Sequence, residues 1–361
     1  MGESMKKILG FLASLMLFLS APGWALEMLS TQSMEAPRTY KIEVLQVTDI
    51  GPYREALNGF LKTLRDNGIK EGENLVVNRV IIDFDVENGG FWDRLSLLGR
   101  IRDEANRVAS AKPDLALTIG TPATRYARRI LELGKIPTVF TAVANPLDAG
   151  ATSLSDAGTG ATGSTLHIDM ANSMKMLKQI FPSVTRIGMV HTDDENGVTH
   201  VQAARDSAVP FGVTVTSQQV NKQENIVPAL KVLYNEGRGV QLFAVPLDTY
   251  YAMRKFEPTN DLSDFSIERN IPIVAFALTP VPGAVLYVGA DFGVVGGLAG
   301  KQALKILKQR KIADTLPILR QEAPSVFLDP KRVAALKVQL PQSILDKKTV
   351  RPDGLWEVVA E

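Results

Sequence analysis

The sequence predicts an α/β protein built as two doubly wound lobes with parallel sheets. Three observations carry that prediction. Short apolar runs alternate with amphipathic helical stretches along the chain. Several of the runs are apolar throughout, as in strands buried on both faces of a parallel sheet. The rhythm stops once, in a Gly/Ser/Thr/Ala-rich stretch from Ala149 to Ser164, and then restarts. A length of 361 residues suits two such units.

The elements follow in order. Lys41–Val47 reads as a strand. Leu57, Phe60, Leu61 and Leu64 then mark one helical face, stopped by Asn67-Gly68. Leu75 to Phe84 is a second strand, and Leu95, Leu98, Ile101, Ala105 and Val108 define a second helix. Leu115–Ile119 and Thr138–Ala142 are buried-type strands flanking a helix from Thr124 to Leu133. After the small-residue stretch, helices are expected over Asn172–Phe181, Gly197–Ala208, Ile226–Gly237 and Asp261–Asn270. Strands are expected over Arg186–His191, Val213–Val220, Gln241–Pro246 and Ile273–Ala277. Val285–Val288 and a helix over Gly293–Gln309 come next, the latter rich in Gly and Ala so that it packs closely on a strand. The remaining residues return to cover both lobes. The expected division is a first lobe of 40–148 plus 284–316 and a second of 149–283 plus 317–350.

The N-terminus carries an address. Lys6-Lys7, the apolar run Ile8–Leu19 and the small residues ending at Ala25 read as a secretory signal peptide of residues 1–25. The run is too short to span a hydrocarbon core, which needs about 20 residues. The chain has no cysteine, which removes disulfides, thiolate catalysis, Cys-ligated metals and a lipidated anchor. A soluble periplasmic protein follows. Lys+Arg 40 against Asp+Glu 39 leaves +1, which argues against a nucleic-acid binder. No P-loop, G-x-G-x-x-G, G-x-S-x-G or H-E-x-x-H is present, so neither a cofactor nor an enzyme is expected.

Ligands of open α/β sheets sit beyond the carboxyl ends of the strands, near helix N-termini that favour anions. That rule converts the strands into candidate ligand-binding residues: Thr48, Asp49 and Tyr53 after the first strand, then Thr121, Pro122, Ala123 and Thr124, then Asn145. In the second half they are Glu195, Asn196, Asp248, Thr249, Phe276 and Asp291. Gly120–Thr124 is read as a glycine turn, a hydroxyl N-cap and a proline at the first helical position, a set that suits a carboxylate. An ordinary capped turn has the same spelling. Glu195, Asp248 and Asp291 can hold an ammonium group, or stand as solvated loop acids. His191, Asp193, Asp194 and His200 raise a metal question. They lack the EF-hand spacing, and no metal is expected.

Lys112-Pro113-Asp114, Gly120-Thr121-Pro122-Ala123, Ile136-Pro137-Thr138-Val139-Phe140 and Asn145-Pro146 resemble the ABC-transporter substrate-binding protein family of the tryptophan/tyrosine-binding type. So do Gly72-Glu73-Asn74, Thr162-Gly163, Phe181-Pro182 with Ile187-Gly188, Val245-Pro246-Leu247-Asp248, Ile271-Pro272-Ile273-Val274 and Gly300 to Leu307. The resemblance implies a periplasmic binding protein fold of type I, whose two lobes are joined by three strands and close on a small solute. It implies a monomer that binds an amino acid or related carboxylate and hands it to an ABC permease in the inner membrane. A ligand-sensing protein docking on a membrane receptor is the alternative. On that resemblance Thr121, Pro122 and Ala123 hold the ligand carboxylate, and Glu195, Asn196 and Asp248 meet it from the other lobe. The chain departs from the family at Asp49-Ile50-Gly51-Pro52, where a His-Pro pair is usual, at Asn145 in place of Asp, and at Leu247 in place of Thr.

Overall fold

Strand and helix alternate from residue 40 onward in the computed structural model, which describes residues 38–82 and 91–358, the side chains of 91–95 and 195 excepted. The expected signal peptide lies outside the described residues. The first half runs β1 (Tyr40–Gln46), α1 (Gly51–Asp66), β2 (Leu75–Ile81), α2 (Phe91–Ala111), β3 (Leu115–Ile119), α3 (Thr121–Leu133), β4 (Thr138–Val143) and β5 (Ala161–Thr165). Then follow α4 (Met170–Ile180), β6 (Arg186–His191), α5 (Glu195–Ala208), β7 (Thr214–Gln219), α6 (Val227–Tyr234), β8 (Leu242–Val245), α7 (Met253–Arg269) and β9 (Ile273–Ala275). The chain closes with β10 (Ala284–Gly289), α8 (Phe292–Leu307), β11 (Leu319–Arg320), β12 (Ser325–Leu328), α9 (Pro330–Ala335), α10 (Gln342–Asp346), β13 (Lys348–Val350) and β14 (Trp356–Val358).

The strands form two sheets, ordered β11-β5-β4-β3-β1-β2 and β13-β14-β12-β10-β9-β8-β6-β7. Every pairing in the first is parallel. The second departs from the expectation of an all-parallel sheet. It is parallel from β7 to β10 but antiparallel from β10 through β12 and β14 to β13. β13 and β14 are joined by a short loop, which suits an antiparallel pair.

Each sheet is covered on both faces. Ile42 and Val44 of β1 join Phe60 and Leu64 of α1 and Ala299 and Ala303 of α8 in one cluster. Leu45 and Val47 point the other way, into Ile101, Ala105, Ala123 and Ala127 of α2 and α3. Burying each large apolar side chain contributes about 1.5–3 kcal/mol. The second sheet is flanked likewise, by a cluster from α4 and α5 and another from α6 and α7.

The expected lobe boundaries move in three places. Ala161–Thr165, placed in the second lobe, pairs with β4 in the first sheet. It is buried throughout and small because α8 lies on it, with Ser164 Oγ donating to Val295 O at 2.7 Å. That packing, not a linker, explains its composition. Ala284–Gly289, placed in the first lobe, pairs with β9 and β12 in the second sheet, and Leu319–Arg320, placed in the second, pairs with β5 in the first. The chain therefore passes between sheets after β5, after β10 and after β11. Gln321 ties two of these passages together, accepting from Asp291 N at 3.0 Å and donating to Ser325 Oγ at 2.9 Å. The glycines of α8 also serve a different neighbour from the one expected. They meet helix α1 rather than a strand: a Cβ at Gly296 would lie 1.9 Å from Ala56 O, and one at Gly59 2.0 Å from Gly293 O.

Candidate functional site

Strand order locates the site. β1 lies between β2 and β3, and β6 lies between β7 and β8. Connections leaving the carboxyl ends of such neighbours run in opposite directions, the place where open α/β sheets form a ligand crevice. The loops concerned follow β1 and β3 in the first lobe and β6 and β8 in the second.

On the first side, Gly120 is the N-cap of α3 at φ 87°, a backbone region that suits glycine. This corrects the expected hydroxyl cap. Thr121 occupies the first helical position, and no side chain closes the helix. Thr124 is turned inward, donating to Gly120 O at 2.9 Å and sharing a 2.9 Å hydrogen bond with Thr118 Oγ1, and Ala123 is core. The first backbone bond of the helix is Thr124 N to Gly120 O at 3.2 Å, so the amides of Thr121 and Ala123 lie at its open end without a partner among the described residues. Tyr53 lies across this opening, because a Cβ on Gly120 would sit 2.3 Å from the Tyr53 hydroxyl. Burial, with the Asp194 charge adding, pushes the Tyr53 phenol up to about 12, so it remains an O–H donor.

The neighbours are partly committed. Asn145 Oδ1 accepts from Leu147 N at 3.1 Å, which leaves its amide hydrogens without a partner among the described residues. Thr48 O accepts from Gln46 at 2.7 Å. Asp49 is held by Arg79 at 2.7 Å and Arg54 at 3.3 Å, so its charge is already answered.

The second side is built to the opposite plan. Asp194 is the N-cap of α5, accepting from Asn196 N at 3.0 Å and Gly197 N at 3.4 Å, with Thr249 Oγ1 donating to its other oxygen at 2.8 Å. Asp248 is buried. It accepts from Thr192 N at 2.7 Å, from Thr192 Oγ1 at 3.1 Å and from Tyr250 N at 2.9 Å. Burial raises its carboxyl, the amides of Thr192 and Tyr250 pull it back, and the Asp194 charge raises it again. These contacts brace the loops after β6 and β8 against each other, so the oxygens expected to hold an ammonium group are spent internally. Glu195 opens α5, and its side chain lies outside the described part. The charge that Asp194 exerts on Tyr53 brings the two sides of the crevice within electrostatic reach.

Phe276 is buried just past β9 and meets His200 edge-on, ring centroids 6.3 Å apart. Asp291 caps α8 through Val294 N at 2.9 Å. It lines a groove of about 870 Å³ with Glu55, Asn58, Lys62, Arg65 and Arg351, which contains none of the loop residues named above. Among the described residues no group of three His, Asp or Glu is placed to hold a metal. His191 and His200 instead serve separate hydrogen bonds, His191 to Thr192 O and His200 to Leu247 N. Sequence reasoning weighed His200 only as a metal ligand. Its spacing from Asn196, i to i+4 on one helix face, was the signal that it belongs beside the crevice.

Comparisons with known proteins bear on the family and the fold. The family model described as ABC transporter substrate binding protein matches residues 41–350. A tyrosine-binding protein of Clostridioides difficile (strain R20291) is 24% identical over 315 residues, covering 84% of this chain and 83% of that protein. The ligand-free, open structure of a substrate-binding protein with adhesive properties from Clostridium difficile superposes with a TM-score of 0.69 at 24% identity, covering 84% of this chain and 96% of that one. A Streptococcus pneumoniae ABC domain in complex with L-Trp does so with a TM-score of 0.68 at 22% identity, covering 85% and 98%.

Proposed function

The chain belongs to the ABC transporter substrate binding protein family, and we propose from that premise that it is the periplasmic component of an importer. Its two lobes close on a small zwitterionic or carboxylate solute, an amino acid above all, and it catalyses no reaction. The observation that carries the reading is the open end of α3. Two amides without a partner among the described residues sit at a helix terminus that favours an anion, with the Tyr53 phenol across it and no side chain among the described residues capping it. The opposite wall, with Asn196, Thr249 and Phe276, supplies polar and aromatic contacts to the rest of the solute.

The relatives that bind tyrosine and tryptophan support an aromatic amino acid. The expected leader over residues 1–25 supports the periplasm, and no described helix is long and apolar enough to cross a membrane. Thermal unfolding in a series of amino acids and simple carboxylates tests the reading. The matching solute raises Tm with concentration, contributing about 2.7 kcal/mol at 100 times Kd, and shrinks the protein in solution scattering as the lobes close. A protein that responds to no small solute would overturn it.

A further inference from the structure

The chain has three histidines, and two of them are held in opposite ways. His191 is buried, with Nδ1 2.8 Å from Thr192 O and Nε2 3.4 Å from Ser217 Oγ. A carbonyl only accepts, so the proton sits on Nδ1, and the protein occupies both nitrogens. In His200 it is Nδ1 that faces a donor, the backbone N–H of Leu247 at 2.9 Å. That nitrogen is therefore bare, and in the neutral ring the proton sits on Nε2. No described residue bonds this second nitrogen, which leaves it a donor without a partner among the described residues on a half-buried side chain.

Its surroundings say where it lies. Leu247 follows β8, and Phe276, which meets the ring edge-on, follows β9. His167, whose charge is felt at His200, lies in the passage between the sheets after β5. Leu247 and Phe276 mark the carboxyl end of the second sheet, and His167 the passage between the sheets. We propose that His200 offers its Nε2 hydrogen to the bound solute as an uncharged donor, taking a carboxylate or carbonyl oxygen from the second lobe's side. The proposal rests on the reading of the crevice as a ligand site.

The ring's charge state agrees. Burial, helped by His167, pushes His200 down to about 4. His167 is itself lowered by burial and by Arg320, with Asp169 opposing. His200 is accordingly neutral through the ordinary pH range. It adds a directional hydrogen bond without adding charge to a pocket whose first lobe already supplies the anion-favouring helix end.

The test uses the mature protein, L-tyrosine and L-tryptophan. Nitrogen-15 spectra of the histidine rings should show His200 bare at Nδ1 and protonated at Nε2, with no titration above about pH 5. His200→Asn keeps an acceptor for Leu247 N and removes the outward donor. It should keep Tm and weaken calorimetric affinity about tenfold, the value of one hydrogen bond. His200→Gln returns a donor near Nε2 and should recover part of that loss. The affinity of the unsubstituted protein should be flat between about pH 5.5 and 8. A proton on Nδ1, tightening toward acid pH, or His200→Asn binding within about twofold of the unsubstituted protein would each overturn the proposal. The spectra decide it even if the Asn variant fails to fold. Absence of binding by the unsubstituted protein would overturn the ligand reading and the proposal with it. Unchanged binding in His200→Asn would overturn the proposal alone.

Discussion

At the end of β3 the chain turns through Gly120 into α3, and no side chain closes the helix. At the end of β6 it turns through Asp194 into α5, and a carboxylate takes two of the first amides. The two turns occupy equivalent places in equivalent sheets. A helix N-terminus must satisfy its leading amides with a cap, with water or with a ligand. The second lobe satisfies its own with Asp194 and locks the neighbouring loop with Asp248. The first lobe leaves the place open under Tyr53. Acidic residues near a crevice are thus poor guides to ligand charge, because one carboxylate in the right place seals a turn that would otherwise recruit an anion.

The largest test of that contrast is Asp248→Ala. It strands the buried donors of Thr192 and Tyr250 and should cost about 3 kcal/mol in denaturant unfolding. A loss under about 1 kcal/mol would mean that Asp248 braces nothing and is free for a ligand after all.

Next comes Gly120→Ala, which sets a Cβ against the Tyr53 hydroxyl and strains a left-handed residue. It should cost about 2 kcal/mol and abolish binding. Tyr53→Ala in the same chain should return the steric part of the stability and none of the binding. Strictly additive stabilities in that cycle would show that Tyr53 does not lie across the helix end.

The smallest effects come from a matched pair. Asp194→Ala loses a cap worth about 1 kcal/mol. Thr121→Val should stay within about 0.5 kcal/mol of the parent while lowering ligand affinity. If the stability costs came out reversed, the assignment of one sealed and one open turn would be wrong.

Much of the architecture was legible in the chain. Leu57, Phe60 and Leu64 mark α1 by spacing alone, and Leu115–Ile119 announces a doubly covered strand. β5 was missed because Ala161–Thr165 has neither alternation nor bulk. It is a strand only because α8, far along the chain, lies close upon it. β13 and β14 escaped for a related reason, since each is held by a partner rather than by its own pattern.

At the candidate site, rules about strand ends point to loops that carry Tyr53, Thr121 and Asn145 on one side and Asn196, Asp248 and Thr249 on the other. Which of them are spent and which are free was not written locally. Thr124 reads as a ligand-facing hydroxyl and is turned into the core. Asp248 reads as a free acid and is saturated by Thr192, 56 positions away. Local periodicity and strand-end position therefore determined the α/β fold and pointed to the candidate site, because both depend on neighbours within a turn or two. The open and sealed turns and the direction of the His200 hydrogen were decided by tertiary structure. A hydrogen-bonding group has a fixed capacity, and only the folded chain shows which distant partner has already used it.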